Sequence, residues 1–163
     1  MTETPAGAAL SIDLVSEAAT SALAARLARV SRAGDVIALR GELGSGKTSL
    51  ARAFIRTLGR GDEEVPSPTF TLVEVYDVGE GQPAVWHFDL FRLEKPEDAY
   101  ELGLEEAFAG GISLIEWPER LGALLPRERL DLTLLAGRDP ARRTARLVPS
   151  PAWLSRLEGI IGS

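Results

Sequence analysis

Gly41-Glu42-Leu43-Gly44-Ser45-Gly46-Lys47-Thr48 decides how this chain folds. The octet satisfies the pattern G-x-x-x-x-G-K-[ST] at every specified position. Its glycines let the backbone curl until successive N–H groups point at one phosphate, and the N-terminus of the following helix adds a partial positive charge. Lys47 is placed to reach the β- and γ-phosphates, and the Thr48 hydroxyl to ligate Mg2+. The flanking sequence agrees with the motif. Val36-Ile37-Ala38-Leu39 reads as a buried strand, and Leu50, Ala53, Phe54 and Leu58 recur on one side of a helix. A chance match in a chain of this size is on the order of one per cent before that context is counted.

Upstream, residues 8–14 read as an edge strand. Ser16 is placed to cap a helix that carries Leu23, Leu27 and Val30 at helical spacing through Arg32 and ends at Gly34. Downstream, the helix after the glycine loop runs over 48–58 and closes at Gly59. Residues 69–78 and 84–90 read as two strands joined by the Gly79-Glu80-Gly81 turn region. Pro96 opens a helix that Gly103 interrupts before 104–108. Residues 112–116 form another buried strand, and Pro118 opens a short helix. Residues 130–135 and 144–148 form a last strand pair, with a terminal helix over 153–160. This order predicts one α/β domain over 1–163 of P-loop NTPase-like type: a central, mainly parallel sheet, antiparallel strands added, helices on both faces. Residues 1–7 are expected to be disordered.

The totals narrow the function. At 163 residues the chain is long enough to bury a core without staples. It has no Cys, which excludes disulfides and thiolate metal sites and fits a reducing, cytoplasmic setting. The first 14 residues lack the basic stretch of a secretory signal, and no apolar run reaches the ~20 residues of a membrane helix. A net charge of −6 repels phosphate backbones at long range, so the chain is not expected to grip nucleic acid alone. Lys47 and Lys95 are the only lysines; arginine supplies every other basic residue, and Arg138, Arg142, Arg143 and Arg146 crowd one stretch. There is no Asn, so the Asn-Lys-x-Asp segment that reads guanine is absent and ATP is favoured.

A phosphate loop needs a carboxylate at the end of a neighbouring strand to hold magnesium or its water. Glu116 ends Ile112-Ser113-Leu114-Ile115 and is assigned to the metal, directly or through water. Asp89, in Val85-Trp86-His87-Phe88-Asp89-Leu90, has two open roles: the metal's water shell, or orienting the attacking water. His87 reads as a partner in a buried hydrogen bond, with Trp86 and Phe88 on the opposite, core face. Pro66-Ser67-Pro68-Thr69-Phe70 is a stiff, hydroxyl-bearing loop. Two readings of it stand level: a surface turn, or the γ-phosphate sensor of a nucleotide switch.

Five stretches together resemble the TsaE family, formerly called YjeE, over residues 16–146. They are the octet 41–48, Ser67-Pro68-Thr69-Phe70-Thr71-Leu72-Val73, His87-Phe88-Asp89-Leu90-Phe91-Arg92-Leu93, Glu101-Leu102-Gly103-Leu104-Glu105-Glu106 and Leu114-Ile115-Glu116-Trp117-Pro118-Glu119. The octet alone is shared by many ATPases; the set in this order is very specific. Phe91 departs from the usual Tyr and removes a hydroxyl. The resemblance implies the P-loop ATPase of bacterial threonylcarbamoyladenosine synthesis on tRNA. It implies that Gly41 through Thr48 cradle ATP, that Thr48 and Glu116 hold Mg2+, and that Asp89 lies near the reacting phosphate. It makes Thr69 part of a switch-like loop and sets Trp117, Glu17, Thr20 and Arg138 around the nucleotide. It also implies action with TsaD and TsaB on tRNAs that read codons beginning with A, with tRNA reached only through that complex.

The expected reaction is in-line attack of water on the γ-phosphate, with Lys47, Asp89, Glu116 and Thr69 as the catalytic set. No residue stands out as an arginine finger, and Arg92 is only a guess. Turnover is therefore expected to be weak alone and stimulated by partners. The rival readings are a small-molecule kinase, with Arg138 to Arg146 as its only candidate lid, and a nucleotide-gated scaffold in which hydrolysis is incidental.

Overall fold

The computed structural model describes residues 9–59, 65, 68, 71–139 and 141–161. The segment 1–7 and, in the expected switch loop, Pro66, Ser67, Thr69 and Phe70 lie outside the described residues. Seven strands form one sheet: β1 Leu10–Leu14, β2 Val36–Arg40, β3 Val73–Tyr76, β4 Val85–Asp89, β5 Ile112–Glu116, β6 Leu130–Ala136 and β7 Arg143–Pro149. Their spatial order is β1-β7-β6-β2-β5-β4-β3. The four central strands β6, β2, β5 and β4 are parallel neighbours. β7 and β1 extend one side and β3 the other, all antiparallel.

Burial explains that order. Every residue of β4 and β5, and all of β2 but Arg40, is buried on whichever face it meets. Such near-continuous apolar runs belong at the centre of a sheet with both faces covered. β6 alternates: Leu130, Leu132 and Leu134 are buried, while Asp131 and Thr133 are only half-buried. That period suits a strand wet on one side.

Helices α1 Glu17–Val30, α2 Lys47–Leu58 and α4 Pro151–Ile161 cover one face. Leu27, Phe54 and Trp153 pack there against Leu39, Leu114, Leu132 and Leu147. Ser16 caps α1, its Oγ accepting from the Ala19 amide at 3.1 Å. The other face carries helix α3 Leu104–Gly110 and two 3-10 helices, Pro96–Leu102 and Pro118–Leu124. Its core joins Trp86, Phe88, Leu104, Ala107, Ile115 and Leu121 and takes nothing from β1, β6 or β7. Helices thus lie on both faces, with the second layer over the β2-β5-β4 half.

Two expectations need correction. The strand expected from residue 69 begins at Val73, because Leu72 turns into the left-handed region at φ 67° and a pleat cannot continue through it. The proline-led helices form where expected and are of 3-10 type; the first is closed by left-handed Gly103 and the second is broken at Gly122. The first helix stops at Val30, with Ser31 already extended. No described helix is long and apolar enough to cross a membrane.

Trp86 anchors the second core between two glycines. A Cβ at Gly103 would stand 2.7 Å from its Cζ3, and one at Gly111 would stand 2.5 Å from its Cδ1. Gly103 also sits at φ 90°, which a side chain resists. Gly103→Ala is expected to destabilise the fold by roughly 2–4 kcal/mol, combining overpacking with backbone strain. Urea unfolding measures this as a lower midpoint at constant slope; an unchanged midpoint would mean that Trp86 has room to retreat.

Candidate functional site

The phosphate loop leaves β2 at Arg40 and enters α2 at Lys47, so the helix N-terminus faces the carboxyl ends of the parallel strands. The tightness of the first turn comes from Gly41, at φ 141°. A Cβ there would lie 2.6 Å from both the Leu134 carbonyl and Ser45 Oγ. Gly44 and Gly46 also take positive φ, so the motif glycines have the conformations their spacing called for.

Lys47 is buried. Its ammonium donates to the carbonyls of Gly41 and Glu42 and stands 4.1 Å from the centroid of the Trp117 ring. Burial holds its pKa below the ordinary lysine value, against the opposing pull of the Glu116, Asp89 and Glu119 carboxylates. Trp117 reaches this place by an unusual backbone: φ is 59°, and Pro118 follows at once. Phe91 packs on it, ring centroids 4.9 Å apart and planes tilted by 53°. The missing tyrosine hydroxyl therefore leaves an aromatic contact in place.

Asp89 and Glu116 are the last residues of β4 and β5 and stand directly opposite one another in the parallel register. Both are buried. The Thr48 hydroxyl lies 3.1 Å from each Glu116 oxygen. His87 Nε2 is 2.7 Å from Glu116 Oε2, the buried hydrogen bond expected of that histidine. Asp89 Oδ1 accepts from the Phe91 amide at 3.1 Å. Trp86 and Phe88 point to the opposite core, as their alternation required.

This donor set fits a magnesium ion that also binds phosphate. Thr48 and Glu116 present hard oxygens at the mouth of an amide-lined loop, with Asp89 beside them, and such an ion takes only one or two protein ligands. The residues of the octet are therefore gathered with Glu116, Asp89 and Trp117 at one end of the sheet.

Two clefts flank Gly46. One follows the octet from Glu42 to Ser49 with Trp117 and Arg143. The other is lined by Glu17, Thr20, Ser49, Arg52 and Arg143, which brings the two expected helix-α1 residues alongside the loop. Arg138 is exposed and lines neither cleft. Arg143, which reading the sequence left undistinguished within its arginine cluster, lines both, and its Nε donates to the Ser45 carbonyl. The arginine stretch is the β6–β7 hairpin, with Arg143 turned onto the phosphate loop. Only the pairing of Ala136 with Arg143 could have singled out this residue.

Because Lys47 deprotonates below the usual lysine range and a bound polyphosphate favours its charged form, nucleotide binding at alkaline pH should take up protons. Affinity should fall as pH rises through that range. Calorimetry of ATP binding in buffers of different ionisation heat measures the uptake; equal heats throughout would contradict it.

A family model described as threonylcarbamoyl adenosine biosynthesis protein TsaE matches residues 14–145. The protein named tRNA threonylcarbamoyladenosine biosynthesis protein TsaE in Rickettsia conorii is 39% identical over 123 residues, 76% of this chain and 69% of that one. Its namesake in Bacillus subtilis is 37% identical over 124 residues, 76% of this chain and 75% of that one. The crystal structure of YdiB from Bacillus subtilis superposes with a TM-score of 0.75 at 27% identity, covering 93% of each chain. With a match over most of its length and the phosphate-loop motif in place, this chain belongs to the TsaE family.

Proposed function

We propose that this protein is a cytoplasmic, Mg2+-dependent ATPase of tRNA threonylcarbamoyladenosine synthesis, acting with TsaD and TsaB on tRNAs that read codons beginning with A. One observation carries the nucleotide chemistry: the Thr48 hydroxyl rests on the buried Glu116 carboxylate at the mouth of the phosphate loop. Membership of a family whose relatives bear that biosynthetic name supports the pathway.

The chain's own residues do positioning and electrostatic work. The loop amides and the α2 N-terminus hold the polyphosphate, and Lys47 gives up its bonds to the Gly41 and Glu42 carbonyls for phosphate oxygens. Trp117 walls the loop on the Lys47 side. Glu17, Thr20 and Arg143 line the cleft left for the nucleoside. Asp89 orients the attacking water or the water shell of the metal, and Thr69 senses the γ-phosphate. Magnesium bound at Thr48 and Glu116 would neutralise charge on the phosphate oxygens. The products are ADP and inorganic phosphate. Water is the acceptor, so no phosphorylated product is expected. With no cationic finger assigned, turnover is slow alone and rises when the partners complete the site. The net charge of −6 fits a subunit that leaves tRNA contacts to its partners.

Reconstitution with TsaD, TsaB and tRNA tests the reading. Wild type should support many rounds of modification per enzyme, scored as modified nucleoside. Lys47→Ala should lose ATP binding and repeated turnover together. Sustained modification by Lys47→Ala would refute the proposal, and a scaffold would be indicated if Glu116→Ala lost hydrolysis while modification continued.

A further inference from the structure

His87 is fully buried on β4, yet the nucleotide chemistry just described does not use it. Its Nε2 meets Glu116 Oε2 at 2.7 Å across neighbouring strands. A carboxylate with Thr48 donating to it only accepts, so His87 Nε2 carries the hydrogen. The other ring nitrogen, Nδ1, is buried and has no hydrogen-bond partner among the described residues. An unpartnered buried polar atom costs stability, so an apolar side chain would serve better if packing were the only demand. Among the described residues, the one bond that this ring makes is to Glu116.

We infer that His87 is a positioning residue that fixes the Glu116 carboxylate for the metal. The inference rests on the proposed Mg2+–nucleotide site. Among the described residues Glu116 has two side-chain donors, and they differ in kind. Thr48 lies at the start of α2, inside the loop that a nucleotide must engage. His87 lies on β4, hydrogen-bonded through the parallel sheet to β5, so its hold on Glu116 does not depend on the ligand. By engaging Oε2, it leaves Oε1 with only the Thr48 hydroxyl among the described residues. Oε1 is then the oxygen available to a metal ion or its water. Ligating carboxylates are commonly held in this way by an outer hydrogen bond, and loss of such a partner weakens metal affinity.

Asparagine and glutamine separate this role from packing. A Gln amide nitrogen reaches the place of Nε2; an Asn amide stops near Nδ1 and cannot reach Glu116. ADP affinity is measured by calorimetry against free Mg2+, and again in EDTA, for wild type, His87→Gln and His87→Asn. His87→Asn should need about tenfold more Mg2+ for half of the metal-dependent tightening, with its affinity in EDTA unchanged. His87→Gln should stay near wild type. His87→Phe, which fills the space without a donor, is the second variant should His87→Asn fail to fold, and it should behave as His87→Asn does. If wild type responds to Mg2+ and the donorless variant responds equally, or loses affinity as much in EDTA as in Mg2+, the positioning role is wrong. A wild type indifferent to Mg2+ would sink the metal site and this role with it.

Discussion

The hydroxyl of Thr48 lying on the Glu116 carboxylate joins the two halves of this molecule that must meet for a nucleotide to be held. Thr48 belongs to the helix that starts at the phosphate loop, and Glu116 to the end of a central strand. β2 pairs with β5 so that Leu39 stands opposite Glu116, which sets the exit of the loop beside the carboxylate. The packing of α2 through Leu50, Phe54 and Ile55 then fixes how the helix N-terminus meets the strand end. A change in register along β2–β5 by one residue would turn Glu116 to the other face.

Around that contact several charged groups are buried together. Asp89 and Glu116 are buried on adjacent strands, whose backbones lie about 5 Å apart in any sheet. Lys47 is the nearby cation, itself buried and bonded to carbonyls rather than to a carboxylate. Taking a charge out of water costs several kcal/mol per ion, which partners must offset. A divalent cation with a polyphosphate would bring opposite charge to both: cation to carboxylates, anion to lysine and loop amides. At a hundredfold excess over its dissociation constant a ligand would add about 2.7 kcal/mol of stability.

The chain's preference for arginine acquires a structural meaning here. Arg156 grips Asp35 with both terminal nitrogens, at 2.7 and 3.1 Å, and also reaches the Val30 carbonyl. Arg40 and Arg129 share Asp131. Arg52 donates to the Val65 carbonyl, and Arg143 to that of Ser45. A planar guanidinium with several fixed donors suits such forked, partly buried ties. The glycine loop instead carries lysine, a compact point charge that would be able to swing from loop carbonyls to a phosphate.

Local chemistry determined much of this protein in advance. The octet, the apolar runs of the central strands, Ser16 as a cap and the core-facing Trp86 and Phe88 were all legible, because each depends on neighbours a few residues away. The left-handed turn at Leu72 and the 3-10 form of the proline-led helices were not, since propensity leaves those choices to packing. The assembly of the site belonged to the same undecided class. Glu116 and Asp89 could be named as candidates from their strand ends, but their side-by-side register was set by sheet assembly. The grip of His87 on Glu116, across 29 positions, and of Arg143 on Ser45, across 98, leaves no periodic trace in the chain. Side-chain period and capping act within one element, whereas register and hairpin placement arise only when distant elements compete for a shared core, and that competition is settled in three dimensions.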